Sequence, residues 1–404
     1  MPALPQPLTR LLNATLPEGR TVDVGLRGGR VSEVVEAEGR AAIEGELDLK
    51  GWVLLTAPAE PHAHLDKALS WDQIAPPMGD LRLAIDSWRA HSHTMTTESI
   101  AERAFAAAQL MLRNGTTAVR THVDLLVGPQ PLRGVQALAG LRERLQGRMD
   151  LQITALAAPD TPDEIVHAAL DLGVDLVGGA PHLAPDPLRD LTRLLAIAES
   201  RGVGTDIHTD EGLDGEPTLT YYAKAVQDWP ADRIRSAGHC VRQGTLEPAE
   251  LAQTVEAVKA ADLGIISLPI TNLYLQGWQH PVSTPRGLTA LRAFLDAGVK
   301  IAGGADNLRD PFNPVGRGDA LETASLLVTA GHLTLTEAYH AVSAGAREVL
   351  GLPPAGAFPG AVADFLAVRG NSLGEVVAAA PADRIVLYRG ALVARSSVVH
   401  ETAL

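Results

Sequence analysis

Cysteine and aromatic residues are scarce in this chain, and basic residues are outnumbered. Its 404 residues include a single cysteine, Cys240, which excludes an intrachain disulfide and favours a reducing compartment. Aromatic side chains make up 4% of the sequence, and 34 Lys and Arg stand against 48 Asp and Glu. The formal charge of -14 argues against nucleic acid or an anionic membrane surface as a partner, but leaves a small-molecule ligand open.

Long apolar runs are also absent. No stretch approaches the ~18 residues that a membrane span needs. Residues 1–5 lack the positive region and apolar core of a signal peptide. These absences predict no membrane partner and a cytoplasmic location, and they leave homo-oligomerisation open. With 46% apolar residues, the chain can bury a sizeable core, and its length suits one large and one smaller domain.

Both ends of the chain carry patterns typical of short β-strands. Apolar and polar residues alternate over 22–26 and 31–35, with Gly28-Gly29 as the turn between them. Near the other end, 363–368 and 384–388 read as strands, and Arg389-Gly390 turns into 391–393. We therefore expect a small β-sandwich domain built from residues 1–56 and 353–404.

The middle of the chain, 57–352, alternates short apolar strands with longer helical stretches such as 100–114 and 188–201. With the apolar run 52–55 before His62 counted as the first strand, eight strands are predicted. The other seven are 117–123, 150–156, 176–180, 204–208, 236–239, 263–268 and 299–304. Eight such β/α repeats predict a TIM-type (β/α)8 barrel. A doubly wound open sheet is disfavoured, because no Gly-rich phosphate turn follows the first strand.

Ligand-type residues follow these strands in order. His62 and His64 share one face of an extended chain, because residues two apart point the same way. The ends of later strands add His208 and Asp306. Three nitrogens and one oxygen suit one divalent ion, zinc or iron with manganese also open, which would lower the pKa of a bound water. The competing interpretation of Asp306 is a helix N-cap.

Other strand-end residues suit proton handling. Glu211 follows the candidate ligand His208 closely and is predicted to carry a proton between water and a leaving nitrogen, with Asp210 as its competitor. His239 is placed to hydrogen-bond the reacting centre, and Cys240 beside it is expected to be a small buried residue.

The sequence around four further histidines indicates their roles less clearly. His122 and His182 also end strands, where the choice between touching a ligand and packing stays open. His91 and His93 repeat the His-x-His spacing but lie in a polar helical context, so they are expected at the surface.

Several segments of the sequence resemble the cytosine deaminase branch of the amidohydrolase superfamily. The resemblance runs nearly end to end. It is carried by EPHAHLDK at 60–67, GTTAVRTHVD at 115–124, GAPH at 179–182, HTDE at 208–211, NLYLQG at 272–277, GADNLRDPF at 304–312 and PGAVADF at 359–365. It implies one metal ion at His62, His64, His208 and Asp306, and no second metal. It also implies that Glu211 and His239 handle protons.

Two positions depart from the cytosine-specific pattern. Ala158 stands where those members carry a glutamine that reads the pyrimidine edge, and Asn307 stands where they carry a second aspartate. Both changes lie at the residues expected to bind substrate, and a missing hydrogen-bond partner in a buried site alters discrimination strongly. Cytosine itself is therefore not the expected substrate.

The leading hypothesis is a metal-dependent hydrolase of a C–N bond in a small nitrogen heterocycle. The alternative is an amine-releasing amidohydrolase of N-substituted triazine-like or amide substrates. A barrel that binds without turnover is disfavoured by the presence of both Glu211 and Asp306. A nucleic-acid editing deaminase is opposed by the acidic charge and by the lack of a His-x-Glu with a downstream Cys-x-x-Cys.

Overall fold

The computed structural model describes residues 7–126, 128–399 and 401–402, so the signal-peptide question at residues 1–5 lies outside it. The first five strands of the chain belong to one sheet. They are β1 (Arg10–Thr15), β2 (Thr21–Arg27), β3 (Arg30–Glu36), β4 (Glu46–Asp48) and β5 (Trp52–Thr56). Gly28 and Gly29, with φ of 59° and 77°, form the turn between β2 and β3, as predicted.

A second set of strands forms a parallel barrel in chain order. They are β6 (Ala59–Ala63), β7 (Ala118–Asp124), β8 (Asp150–Ala157), β9 (Leu176–Gly179), β10 (Gly204–Thr209), β11 (Arg235–His239), β12 (Gly264–Ser267) and β13 (Ile301–Gly303). Each strand pairs with the next. An isolated parallel bridge between Ala63 and Asp306 joins the two ends of the sheet. The predicted (β/α)8 barrel is confirmed.

The last three strands return to the first sheet. β14 (Phe365–Arg369), β15 (Arg384–Tyr388) and β16 (Ala391–Ser396) extend it in the order β16-β15-β14-β5-β1-β2-β3, with β4 on β1. Both ends of the chain therefore build one sheet, as the two alternating patterns indicated. It packs against the barrel.

One strand assignment was wrong. The apolar run before His62 is β5, and it pairs with β14 in the terminal sheet; the first barrel strand is β6. Val53 and Leu55 of β5 pack into the barrel-side core, whereas Trp52 and Leu54 pack into the core of the terminal sheet. A strand buried on both faces has no alternation, which made it resemble a barrel strand.

Helices separate the barrel strands and cover the outside. They are α1 (Trp71–Ile74), α2 (Leu81–Ser92), α3 (Thr97–Arg113), α4 (Arg133–Leu145), α5 (Asp163–Asp171), α6 (Pro187–Arg201), α7 (Leu219–Val226), α8 (Pro248–Ala260), α9 (Pro269–Leu275), α10 (Leu291–Asp296), α11 (Ala320–Thr329), α12 (Leu335–Ala341), α13 (Ala344–Val349) and α14 (Leu373–Ala379). Short 3-10 turns occupy Pro181–Leu183 and Arg242–Thr245. In the described part of the chain, no helix is both long enough and apolar enough to span a bilayer.

Local sequence fixes several helix starts. The Thr96 side chain accepts from the Ser99 amide while the Ser99 hydroxyl accepts from the Thr96 amide, which is a capping box at α3. Asp186 caps α6, and Pro187 occupies its first turn. Three helices, α1 to α3, lie between β6 and β7. The additional α2 is placed over the mouth of the barrel and forms part of a cavity described below.

Candidate active site

The C-terminal ends of the barrel strands bring the predicted ligand residues together. His62 lies in β6, His64 just after it, His208 in β10 and Asp306 just after β13. All four are at least 95% buried, although they come from three separate parts of the chain. Parallel strands of a barrel end at one rim, so residues far apart in sequence meet there.

Four donor atoms of this group face one another at short range. Nε2 of His208 lies 3.2 Å from Nε2 of His62 and 3.2 Å from Nε2 of His64. Oδ1 of Asp306 lies 3.2 Å from His64 Nε2 and 3.9 Å from His62 Nε2. A tetrahedral ion with ligands at ~2.1 Å has edges of about 3.4 Å, so the spacing fits one ion.

The protonation tendencies of these histidines suit ligation. Burial lowers the pKa of His62 to about 4, with neighbouring His122 adding to the effect. Burial likewise holds the pKa of His64 and His208 well below the usual range. All three imidazoles are therefore neutral at pH 7, with a lone pair free for an ion.

Asp306 does not behave as a helix cap. Within the described chain, both of its carboxylate oxygens are buried without a hydrogen-bond partner. The next helix, α11, begins at Ala320, and its cap is Asp319. Burial raises the pKa of Asp306 well above its usual value, with the charges of Glu211 and Asp310 adding to this. A buried carboxyl without a donor is stable as a carboxylate only beside a cation.

His122 lies behind the same group. Its ring centroid is 4.0 Å from that of His62, and its Nε2 is 3.4 Å from Oδ2 of Asp206. A nitrogen of His122 also lies within 4.8 Å of donor nitrogens of His62 and His208, so these three make a second ligand-capable group. Arg120 donates to Asp206 from the barrel interior (3.0 Å). Burial acts to raise the pKa of Asp206, but His122, His62 and Arg120 outweigh it and hold the pKa well below its usual value.

Glu211 and Asp210 have different surroundings. Asp210 accepts from the Thr218 amide and hydroxyl, the Leu219 amide and the Gln243 side chain, at 2.7 to 3.1 Å. Glu211 faces the cavity instead, with Oε2 3.5 Å from His182 Nε2 and Oε1 3.6 Å from His239 Nδ1.

These environments separate the two acids. Burial acts to raise the pKa of Glu211, but the neighbouring His239 and His182 outweigh it, so the pKa lies below its usual value. Glu211 is therefore ionised and exposed to the cavity, whereas the hydrogen bonds of Asp210 are used to hold the start of α7 in place.

His239 completes the rim at β11. The side-chain amide of Asn272 lies 3.0 Å from His239 Nδ1, and His239 Nε2 lies 4.0 Å from Asp306 Oδ2. Gly238 leaves room for the site, since a Cβ there would lie 2.9 Å from the His62 ring. Cys240 is fully buried as expected, and burial holds the pKa of its thiol well above the usual range.

Strained backbone concentrates at this rim. Asp210, His239, Cys240 and Asp306 have φ of 50°, 67°, 51° and 61°, a region that L-residues seldom adopt. Non-glycine residues in this conformation cluster at functional sites, where the surrounding structure holds them.

A cavity of about 350 Å³ opens onto Glu211, His239 and Asp306. Ala158 and Asn307 both line it, and the Asn307 amide donates to Asp310 Oδ2 (2.9 Å). The outer walls are largely apolar and come from Leu81, Ile85, Trp88, Leu125, Leu126, Leu156, Leu183 and Phe312.

The lining of the cavity by α2 was not predicted from the sequence. His93, just beyond that helix, is exposed as expected but also lines the mouth, so its assignment to plain surface was incomplete. Trp88 Nε1 donates to Asp124 Oδ2 (2.5 Å), and Lys67 donates to Asp124 Oδ1 (2.8 Å) and lies 3.1 Å from His64 Nδ1. The spacing of Trp88 and Ile85 on one helix face was the available signal.

Comparisons with known proteins show which family this chain matches. The amidohydrolase family profile matches residues 75–394. A pterin deaminase of Rhizobium rhizogenes is 30% identical over 386 residues, covering 93% of this chain and 88% of that protein.

Two solved structures share the fold. The 5-methylcytosine deaminase of Klebsiella pneumoniae bound to phosphonocytosine has a TM-score of 0.87 at 24% identity, over 98% of this chain and 100% of the other. The N-isopropylammelide isopropylaminohydrolase of Burkholderia multivorans has a TM-score of 0.79 at 27% identity, over 96% and 98%.

Proposed function

The chain belongs to the amidohydrolase family, and on that premise we propose that it deaminates a fused bicyclic heterocycle of the pterin type. It is a metal-dependent hydrolase that acts on a carbon–nitrogen bond, other than a peptide bond, in a small nitrogen heterocycle.

The observation that carries the proposal is the meeting of four donor atoms. His208 Nε2 lies 3.2 Å from the Nε2 atoms of His62 and His64, and Asp306 Oδ1 lies 3.2 to 3.9 Å from the same two atoms. Imidazole and carboxylate together suit zinc, iron or manganese. A divalent ion held there supplies Lewis acidity and a water of lowered pKa.

Glu211 then serves as the proton carrier. Deamination adds water to a ring carbon, breaks the bond to the exocyclic nitrogen and releases ammonia. The Glu211 carboxylate takes a proton from the attacking water and delivers it to the departing nitrogen. His239 lies beside Glu211, with Nδ1 3.6 Å from Glu211 Oε1, and its Nε2 can hydrogen-bond the oxygen that develops negative charge.

The cavity supports a substrate larger than one pyrimidine ring. Its volume of about 350 Å³ lies in the range of sites that hold drug-sized ligands. Trp88, Phe312 and Leu156 form apolar walls beyond the polar end, which suits a flat second ring. Ala158 offers no hydrogen bond to a pyrimidine edge, and a buried unmatched polar group costs about 1–3 kcal/mol. Cytosine should therefore be a poor substrate.

The test is product analysis with the metal-loaded protein. Pterin, 5-methylcytosine, cytosine and N-isopropylammelide are incubated separately, and released ammonia or isopropylamine is quantified. The proposal expects ammonia from pterin, and kcat/KM on cytosine well below the ~10⁵ M⁻¹s⁻¹ of an efficient enzyme. Efficient turnover of cytosine with none of pterin would contradict it.

The second candidate function is release of an amine from an N-substituted triazine-like ring. The likeness to the Burkholderia multivorans isopropylaminohydrolase, with 27% identity over nearly the whole chain, favours it. Isopropylamine from N-isopropylammelide, with no ammonia from pterin, would establish this alternative in the same assay.

A further inference from the structure

The barrel closes weakly between its first and last strands. Neighbouring strands elsewhere share at least three paired residues, as β12 and β13 do, but β6 and β13 are joined only by the Ala63–Asp306 bridge in the described chain. The proposed ligands lie on both sides of this seam. His62 lies in β6 and His64 directly after it, and Asp306 follows β13, with 3.2 Å between His64 Nε2 and Asp306 Oδ1.

The side chain of Glu60 spans the seam. Its Oε1 accepts from the backbone N–H of His62 (3.1 Å), and its Oε2 accepts from the backbone N–H of Ala305 (2.9 Å). One carboxylate thus holds the backbone of a proposed ligand on one strand and of the residue before Asp306 on the other. Glu60 itself is buried and does not line the cavity.

Gly304 provides the space that this carboxylate occupies. A Cβ on Gly304 would lie 2.4 Å from Glu60 Oε1, 3.0 Å from Leu268 Cδ2 and 3.3 Å from Pro61 Cδ. Its backbone is outside the left-handed region, so the position needs glycine for space rather than for conformation. The niche is therefore built by two residues from opposite sides of the seam, Glu60 and Gly304.

We infer that Glu60 is a positioning residue, whose carboxylate ties β6 to the end of β13 and so sets the distance between the histidine ligands and Asp306. The inference rests on the proposed metal site. Both oxygens of the Glu60 side chain accept a backbone N–H in this arrangement. Glutamine keeps the shape, but its NH2 group would face one of the two backbone N–H donors. The seam would then open, and the distance between the histidine ligands and Asp306 would change with it.

The experiment compares Glu60→Gln and Gly304→Ala with the wild type and with Asp23→Asn. Asp23 is the matched control, because it is a buried carboxylate that accepts a backbone N–H (from Asn13, 2.9 Å) in the terminal sheet, away from the metal site. Each apoprotein is titrated with Co²⁺ against a chelator, and its visible absorption spectrum is recorded. Thermal unfolding of each apoprotein and kcat and KM of each loaded protein are also measured.

Both seam variants should bind Co²⁺ about 10–100-fold more weakly, the range known for residues that orient ligands. Their d–d spectra should change, and kcat should fall while KM changes little. A protein that carries both Glu60→Gln and Gly304→Ala should lose little more Co²⁺ affinity than either single variant, because both substitutions act through the same side chain. The Asp23→Asn protein should keep the wild-type affinity and spectrum.

Wild-type affinity and spectrum in both seam variants would overturn the inference. So would an equal loss of affinity in Asp23→Asn, because the effect would then be general destabilisation. If Glu60→Gln fails to fold, Gly304→Ala alone decides. Absence of Co²⁺ binding by the wild type would overturn the proposed metal site itself, and the inference with it.

Discussion

Replacing Glu211 by glutamine removes the proton carrier while keeping the volume and shape of the side chain. In the wild type, Oε2 of Glu211 lies 3.5 Å from His182 Nε2, and Oε1 lies 3.6 Å from His239 Nδ1. The other nearby carboxylates already have partners. Asp124 accepts from Lys67 and Trp88, and Asp306 is assigned to the proposed ion. Proton transfer would have to pass through water.

The expected loss follows from that geometry. A positioned general acid or base contributes about 10²–10⁴ in rate. At 1.36 kcal/mol per tenfold, this corresponds to about 2.7–5.4 kcal/mol of transition-state stabilisation. Since Glu211 is not among the four proposed ligands, the variant should keep its metal content.

Asp210→Asn is the matched control. Asp210 uses both oxygens to accept from the Thr218 and Leu219 amides and from Gln243. An asparagine leaves at least one of these buried donors unpaired, which costs about 1–3 kcal/mol of stability. Its kcat should stay close to that of the wild type.

The assay combines single-turnover kinetics on the substrate identified by ammonia release, elemental analysis for metal, and denaturant unfolding. Activity of Glu211→Gln within a few-fold of the wild type, or a collapse of kcat in a folded Asp210→Asn, would refute the assignment of the proton carrier.

Three other outcomes are expected. His208→Ala or Asp306→Ala should lower bound metal after dialysis and abolish turnover; full occupancy and activity in both would contradict the ligand set. Arg120→Met should lower the free energy of unfolding by about 3–5 kcal/mol, because buried Asp206 loses the arginine that donates to it; denaturant titration measures this. Glu337→Gln should lower stability by about 0.5 kcal/mol after solvent screening. Hydrogen bonds from Arg292 and Thr334 lower the pKa of Glu337 from 4.5 to about 2, so the folded form favours the carboxylate. The stabilisation is present above pH 4.5 and fades as pH falls toward 2; a difference that grows on acidification would contradict it.

The sequence alone determined the barrel and the chemical nature of its rim. Strands such as β8 and β12 and helices such as α6 carry local apolar patterns that do not depend on distant residues. Because every strand of a parallel barrel ends at the same rim, chain order placed His62, His64, His208 and Asp306 together. Their roles as ligands stay predictions, although the structure places donor atoms of His208 and Asp306 within 4 Å of those of His62 and His64.

Only the tertiary structure decided which sheet β5 joins, which acid faces the cavity and what covers the mouth. β5 is apolar on both faces, so nothing local distinguishes it from a barrel strand. Asp210 differs from Glu211 because it accepts hydrogen bonds from Thr218 and from Gln243, which lies 33 positions away in the sequence. The link made by the Glu60 side chain depends on the backbone N–H of Ala305, 245 positions further along the chain. Such long-range pairings leave no periodic trace in the sequence, because they are fixed by how the elements pack and not by the local preferences of the chain.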